Sequence, residues 1–218
     1  MEKGRLLVAS WLLASLAVGV GAAAAWNPLR PIRPLKGKED AKTECYAYSF
    51  EKGRWRYATA MPEALFGVAL AYHDGQLYAI GGYTPLEKAT VNRLDVRTGK
   101  WQAVKPLPKP TSHGRALKVD IGRGEYGILF CGGERKGEEW TDCWIYDIRN
   151  NQWHTTLSLN QGRAYNFGLV SCGGDIYALG GLGGGKAMDS IERLGRFSWE
   201  LLPAKLPEPN NSFEVGCF

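Results

Sequence analysis

Histidine is nearly absent from this chain: His73, His113 and His154 are the only three in 218 residues, and none has Cys, Asp or Glu around it at metal-ligand spacing. A histidine-based metal centre is therefore not expected, and neither a metal nor a cofactor is assigned. Cysteine is sparse and odd in number, five in all, which excludes a small disulfide scaffold as the basis of the fold. No Gly-x-Ser-x-Gly elbow occurs, and no Cys and His pairing, so the common acyl-transfer signatures are missing. Positive charge exceeds negative by five, but Lys and Arg are spread through turns and loops with no basic stripe interleaved with aromatics. Nucleic acid is not indicated as a partner.

One long apolar run does occur, from Leu6 to Trp26, behind Glu2, Lys3 and Arg5 and ending in Ala22-Ala23-Ala24-Ala25. It reads as a secretory signal peptide over residues 1–25, with an uncleaved anchor as the alternative because the run is close to twenty residues long. Its Gly- and Ala-rich second half lowers the hydrophobicity and favours cleavage. The expected location is secreted or extracytoplasmic, with membrane contact only if the segment stays attached. Residues 26–43, with Pro28, Pro31 and Pro34, read as an extended linker. Asn210-Asn211-Ser212 is an acceptor pattern for N-glycosylation at Asn210.

Beyond the linker one unit recurs: a short apolar run, a Gly-Gly pair and, about twenty residues later, a Trp. The pairs are Gly81-Gly82, Gly132-Gly133 and Gly180-Gly181, and they lead to Trp101, Trp153 and Trp199 at spacings of 20, 21 and 19 residues. Trp55 stands 46 residues before Trp101, so the period is near 50. Apolar and β-branched runs of five to eight residues, separated by turns such as Asp74-Gly75 and Gly173-Gly174, predict strands and hairpins, four strands to a unit. The Gly pair is read as a place where a side chain would strike the neighbouring unit, and the Trp as filling between units.

A four-stranded unit of this length, with Gly-Gly closing strand two and a Trp after the third strand, on the fourth or just before it, resembles the kelch repeat, whose copies form the blades of a β-propeller. The resemblance covers residues 44–218 and includes Glu44, Cys45, Tyr46 and Trp55; Arg93, Leu94, Asp95 and Trp101; Ile145, Tyr146, Asp147 and Trp153; Glu192, Arg193, Leu194 and Trp199. The expected fold is all-β, with kelch-type blades of four antiparallel strands, three to four in number. The tally is half a blade, two full units, most of a third and one orphan strand near Ser212 to Phe218. That implies an incomplete propeller: a truncated copy, or one completed by a second chain. An Arg recurs 17 residues before the pair, at Arg115 and Arg163, and Ala64 stands at that place in the first unit.

Function is expected in the loops. Those at 83–90, 134–141 and 182–189 are placed on one rim and those at 106–112 and 203–212 on the other. Glu134, Arg135, Lys136, Glu139 and Trp140 form a charged set around one aromatic, a candidate protein-binding site for an unknown protein partner. Trp140 is either exposed for binding or folded back on its blade. Gly180 to Lys186 matches most of a phosphate-binding loop, but Ala187 follows where Ser or Thr is needed, and the loop is read as structural. Cys131 and Cys143 are placed to bridge one hairpin or to sit reduced in the sheet, while Cys45, Cys172 and Cys217 have no evident partner.

Residues 157–194 are in addition similar to blades of the sialic acid mutarotases, through Gln161 to Tyr165 and Gly183 to Ser190. That resemblance implies a catalytic Glu directly after a Gly pair and an Arg six residues on. Glu134 fits the first place, but Trp140 occupies the second. An interaction module is the leading expectation, and a mutarotase-like enzyme the alternative.

Overall fold

The computed structural model describes residues 43–211 and 213–217; residues 1–25, expected to be a signal peptide, and almost all of 26–43, expected to be a linker, lie outside them. A two-stranded hairpin comes first, β1 (Glu44–Ser49) with β2 (Arg54–Ala60). Three four-stranded antiparallel blades follow, each in chain order across its sheet. Blade A holds β3 (Ala69–His73), β4 (Gln76–Ile80), β5 (Val91–Asp95) and β6 (Lys100–Ala103). Blade B holds β7 (Arg115–Gly122), β8 (Glu125–Cys131), β11 (Cys143–Asp147) and β12 (Gln152–Thr155), with the small hairpin β9 (Glu134–Arg135) and β10 (Glu138–Glu139) between its second and third strands. Blade C holds β13 (Gly168–Cys172), β14 (Asp175–Leu179), β17 (Ser190–Leu194) and β18 (Trp199–Lys205), with hairpin β15 (Leu182–Gly183) and β16 (Lys186–Ala187) in the corresponding place.

The second strands explain why the apolar runs are continuous where a half-buried strand would alternate. Ile128 and Phe130 of β8 pack toward blade A with Tyr78 and Ile80, while Leu129 and Cys131 pack toward blade C with Ala178 and Phe167. All four β8 residues are buried, so both faces of the middle blade are interior. Each such side chain contributes about 1.5–3 kcal/mol on burial. The fold is an all-β, incomplete kelch-type propeller, with blade stacking as its core.

The Gly pairs thread between neighbouring blades. A Cβ on Gly132 would overlap the Arg163 carbonyl of the next blade's lead-in, and one on Gly180 would come within 2.7 Å of the Asn210 carbonyl. The second glycine of each pair donates its N–H across the same seam: Gly82 to Thr111 O, Gly133 to Arg163 O and Gly181 to Asn210 O, at 2.7–3.0 Å. The Trp residues pin the outer strands. Trp153 Nε1 donates to Lys105 O and Trp199 Nε1 to Leu157 O of the preceding blade, each at 3.0 Å. Trp101 Nε1, at the seam with the β1–β2 hairpin, is buried without a partner.

Several expectations are corrected. The third unit is a complete blade, and residues 213–217 carry no strand: Val215 lies over Gly168 on the face of β13, where no ladder can form. The loop 106–112 and the described part of the loop expected at 203–212, residues 206–211, share a rim with the Gly-Gly loops. Leu107 N donates to Ala89 O, Thr111 N to Lys88 O and Asn210 N to Met188 O, which lays each connection beside the preceding blade's loop. Arg115 and Arg163 are not equivalent either. Arg115 opens β7 opposite Cys131, whereas Arg163 lies in the lead-in ahead of β13, and the equal spacing reflects the longer β7–β8 hairpin of blade B. Cys131 and Cys143, facing residues on β8 and β11, are disulfide-bonded; Cys172 is bonded to Cys217, a pairing not foreseen, and Cys45 is free.

Candidate functional site

Strand direction places all inter-blade connections and all Gly-Gly loops on one rim, the loop rim; the opposite, turn rim has only tight turns such as Asp74-Gly75 and Gly173-Gly174. On the loop rim one lead-in position recurs in left-handed conformation, as Gly67 (φ 58°), His113 (φ 56°) and Tyr165 (φ 52°). For glycine this is easy, but for a bulky tyrosine it is strained. The strain is held by neighbours. His113 N donates to Gly67 O at 2.8 Å, and a Cβ on Gly67 would meet the imidazole at 2.8 Å, so only glycine leaves room for that ring. The imidazole then stacks on Tyr165, with centroids 4.2 Å apart and planes 21° apart.

Glu134 lies beside this ring pair, on β9. Its N–H donates to Ser112 O at 2.7 Å and its carbonyl accepts from Ser112 N at 3.1 Å, which fixes the loop against its own lead-in. Its Oε2 is buried and has no hydrogen-bond partner. Burial, then the Glu134 carboxylate beside it, then the charges of Glu139 and Glu87, push the Tyr165 phenol up to about 12. Burial holds the His113 imidazole below its ordinary value, with the Glu134 charge opposing. At neutral pH the site is thus a neutral phenol and a neutral imidazole next to carboxylates. The other two carboxylates brace the loops: Glu87 Oε1 accepts from Lys136 N at 2.8 Å, and Glu139 Oε1 from Gly185 N at 3.3 Å.

The candidate residues drawn from sequence are therefore divided. Glu134 adjoins the ring cluster, Glu139 acts on Tyr165 only through its charge, and Lys136 is exposed at the hairpin tip. Trp140 is folded back, half-buried against the core between blades A and B, with Lys109 Nζ 4.6 Å and Arg135 Cζ 5.5 Å from its ring centroid. Lys109 also pairs with Asp142 at 2.9 Å. His113 and Tyr165 were not singled out from sequence. They share the lead-in position of Gly67, fixed by the bridges of Phe66, Ser112 and Ala164 to Tyr83, Glu134 and Leu182, and no repeated residue type marks that position in the sequence.

Behind Tyr165 a buried ion pair sets the lead-in. Arg163 and Glu192 are both fully buried, 3.0 Å apart, and Arg163 also donates to the carbonyls of Gly180 and Ser190 and to Ser190 Oγ. Glu192 Oε2 accepts from the backbone and side-chain nitrogens of Asn160. Every polar direction is occupied, so the pair is structural. The glycine-rich segment 180–186 runs into hairpin β15–β16 and opens no helix. Among the described residues no group of three or more His, Cys, Asp or Glu is placed to hold a metal ion.

The sequence profile described as the Kelch motif matches residues 64–108 and 163–194, which include blade A and most of blade C. Two of the three blades thus carry the Kelch motif. The chain is 27% identical over 169 residues to Kelch domain-containing protein 10 of Homo sapiens, covering 68% of this chain and 36% of that protein. It is 27% identical over 183 residues to Kelch-like protein 40 of Mus musculus, covering 80% of this chain and 26% of the other. These kelch relatives are thus matched over well under half their length. Among solved structures, that titled "Structure of YjhT" superposes with a TM-score of 0.60 at 16% identity, covering 72% of this chain and 57% of that one, a likeness of fold.

Proposed function

We propose that this kelch protein is an extracytoplasmic interaction module that binds a protein partner through its loop rim. The observation that carries the reading is the convergence of Gly-Gly loops and inter-blade connections on one rim, where the buried, donorless Glu134 Oε2 adjoins the Tyr165–His113 pair. Rigid blades holding variable loops are the usual way a repeat fold presents a binding surface. The apolar run from Leu6 to Trp26 and the two disulfides support a location outside the cytosol. A photo-crosslinking residue at Lys136 on the loop rim is expected to capture partner from extracellular extract, and one at Arg123 on the turn rim to capture none; the reverse pattern would remove the reading. N-terminal sequencing of the mature protein tests the location, since an intact Met1 on a membrane-bound product means an anchor.

A further blade is proposed to cover blade C, supplied by this polypeptide or by a second chain. Tyr177, Arg193 and Glu200 form a row across its free face, matching Tyr78, Arg93 and Gln102 of blade A, where blade B covers Tyr78. A mutarotase-like activity is the second reading, favoured by the position of Glu134 after its Gly pair. Against it, Trp140 stands where the partner Arg would be and is packed into the blade. Anomer exchange of α-sialic acid followed by NMR is expected to show no acceleration over buffer; acceleration lost in Glu134→Gln would establish the enzyme.

A further inference from the structure

We infer that the loop rim holds a receptor for one arginine side chain of the protein partner, with the guanidinium bound by Glu134 beside the Tyr165–His113 rings. This rests on the interaction-module reading and names the chemistry that its site would select.

The starting observation is the donorless Glu134 Oε2. A carboxylate oxygen withdrawn from water without a donor is costly, and a ligand donor removes that cost. Three of the rim's cations are engaged elsewhere, Lys109 with Asp142 and the Trp140 ring, Arg135 over the same ring, and Lys88 with Glu63 at 2.9 Å, while Lys136 stands exposed at the hairpin tip and acts on Glu87. Glu87 and Glu139 add negative charge in the neighbourhood of the Tyr165 phenol.

The stacked rings are a second and independent feature. An aromatic surface beside a carboxylate suits a cation, and the imidazole, held neutral by burial, does not repel one. Guanidinium fits better than ammonium because it is planar, lies flat on a ring and donates two parallel N–H bonds to one carboxylate. A neutral hydrogen-bonding group of the same shape would satisfy Oε2 without answering the charge of three carboxylates.

The test is an NMR titration of the full chain with the pentapeptide acetyl-Gly-Gly-Arg-Gly-Gly-amide and its citrulline and lysine counterparts, reading the ring protons of Tyr165 and His113. The arginine peptide is expected to shift both rings, lysine to bind more weakly and citrulline to leave them unmoved. Glu134→Gln is expected to weaken the arginine peptide at least ~10-fold with the thermal midpoint preserved. Tyr165→Asn, which keeps a residue tolerant of the left-handed backbone, is expected to weaken it as well. An equal response to citrulline, or unchanged affinity in Glu134→Gln, would overturn the arginine site while crosslinking at Lys136 still held. Crosslinking at the turn rim instead would remove the interaction reading beneath it.

Discussion

The two rims of the same blades are built under different constraints. On the turn rim the chain only reverses: a Cβ on Gly75, Gly99, Gly173 or Gly174 would meet nothing within 4 Å. On the loop rim each blade is threaded into the next, and the Gly pairs lie against neighbouring backbone. Left-handed residues follow the same division. The turn rim uses Asp74, Arg123 and Asn151 in tight turns, whereas the loop rim forces His113 and Tyr165 into that conformation and stacks their rings. Stability and recognition thus meet on one rim, and the other is left permissive.

The largest expected effect comes from the ion pair behind the loop rim. Glu192→Ala leaves Arg163 buried without its counter-charge and is expected to cost about 3–5 kcal/mol in denaturant unfolding. Gly132→Ala comes next at about 2–4 kcal/mol, because the new Cβ overlaps the Arg163 carbonyl and the backbone is left-handed. Gly174→Ala on the turn rim meets open space and is expected to cost only about 1–2 kcal/mol from backbone conformation alone. Equal losses in the two glycine variants would erase the contrast between rims. Trp199→Phe, which forfeits the bond to Leu157 O, is expected to lose about 1 kcal/mol more than Trp101→Phe, whose indole N–H is already unpaired.

The smallest effect is a pH dependence. His113 has a folded pKa below its unfolded value, so the unfolded chain binds more protons between the two, and stability rises with pH there. Its contribution is complete above about 6.5 and is lost as pH falls through that value toward the folded pKa. The carboxylates held low, Glu87, Asp95 and Asp147, lose their stabilising contributions at more acidic pH, below the ordinary carboxylate range. Between pH 5.5 and 7.5, His113→Asn should flatten the stability slope; an unchanged slope would mean that the imidazole is not buried against Tyr165.

The blades were legible because their period is carried by residues that packing demands. Gly pairs are needed wherever two blades meet and Trp wherever an outer strand must be pinned, and each of the three pairs is followed by its Trp after 19 to 21 residues. The site was only half legible. Glu134 was marked by its place after a Gly pair, but His113 and Tyr165 occupy a lead-in position that is glycine in blade A, so no residue type repeats there. The assignment of loops to two rims failed because it followed chain order alone; four strands per blade return each connection to the rim it left. The Cys172–Cys217 bridge spans 45 residues and joins a blade to the segment beyond it, a contact that hairpin proximity does not suggest.

The measurement that tests the loop rim most directly is a hydrogen-exchange footprint of the protein bound to its crosslink-captured partner. Protection is predicted at 83–90, 106–113, 134–141, 160–166 and 182–189, with 73–76, 97–100, 121–125 and 172–175 unchanged. Protection of the turn-rim segments with the loop rim exchanging freely would contradict the account.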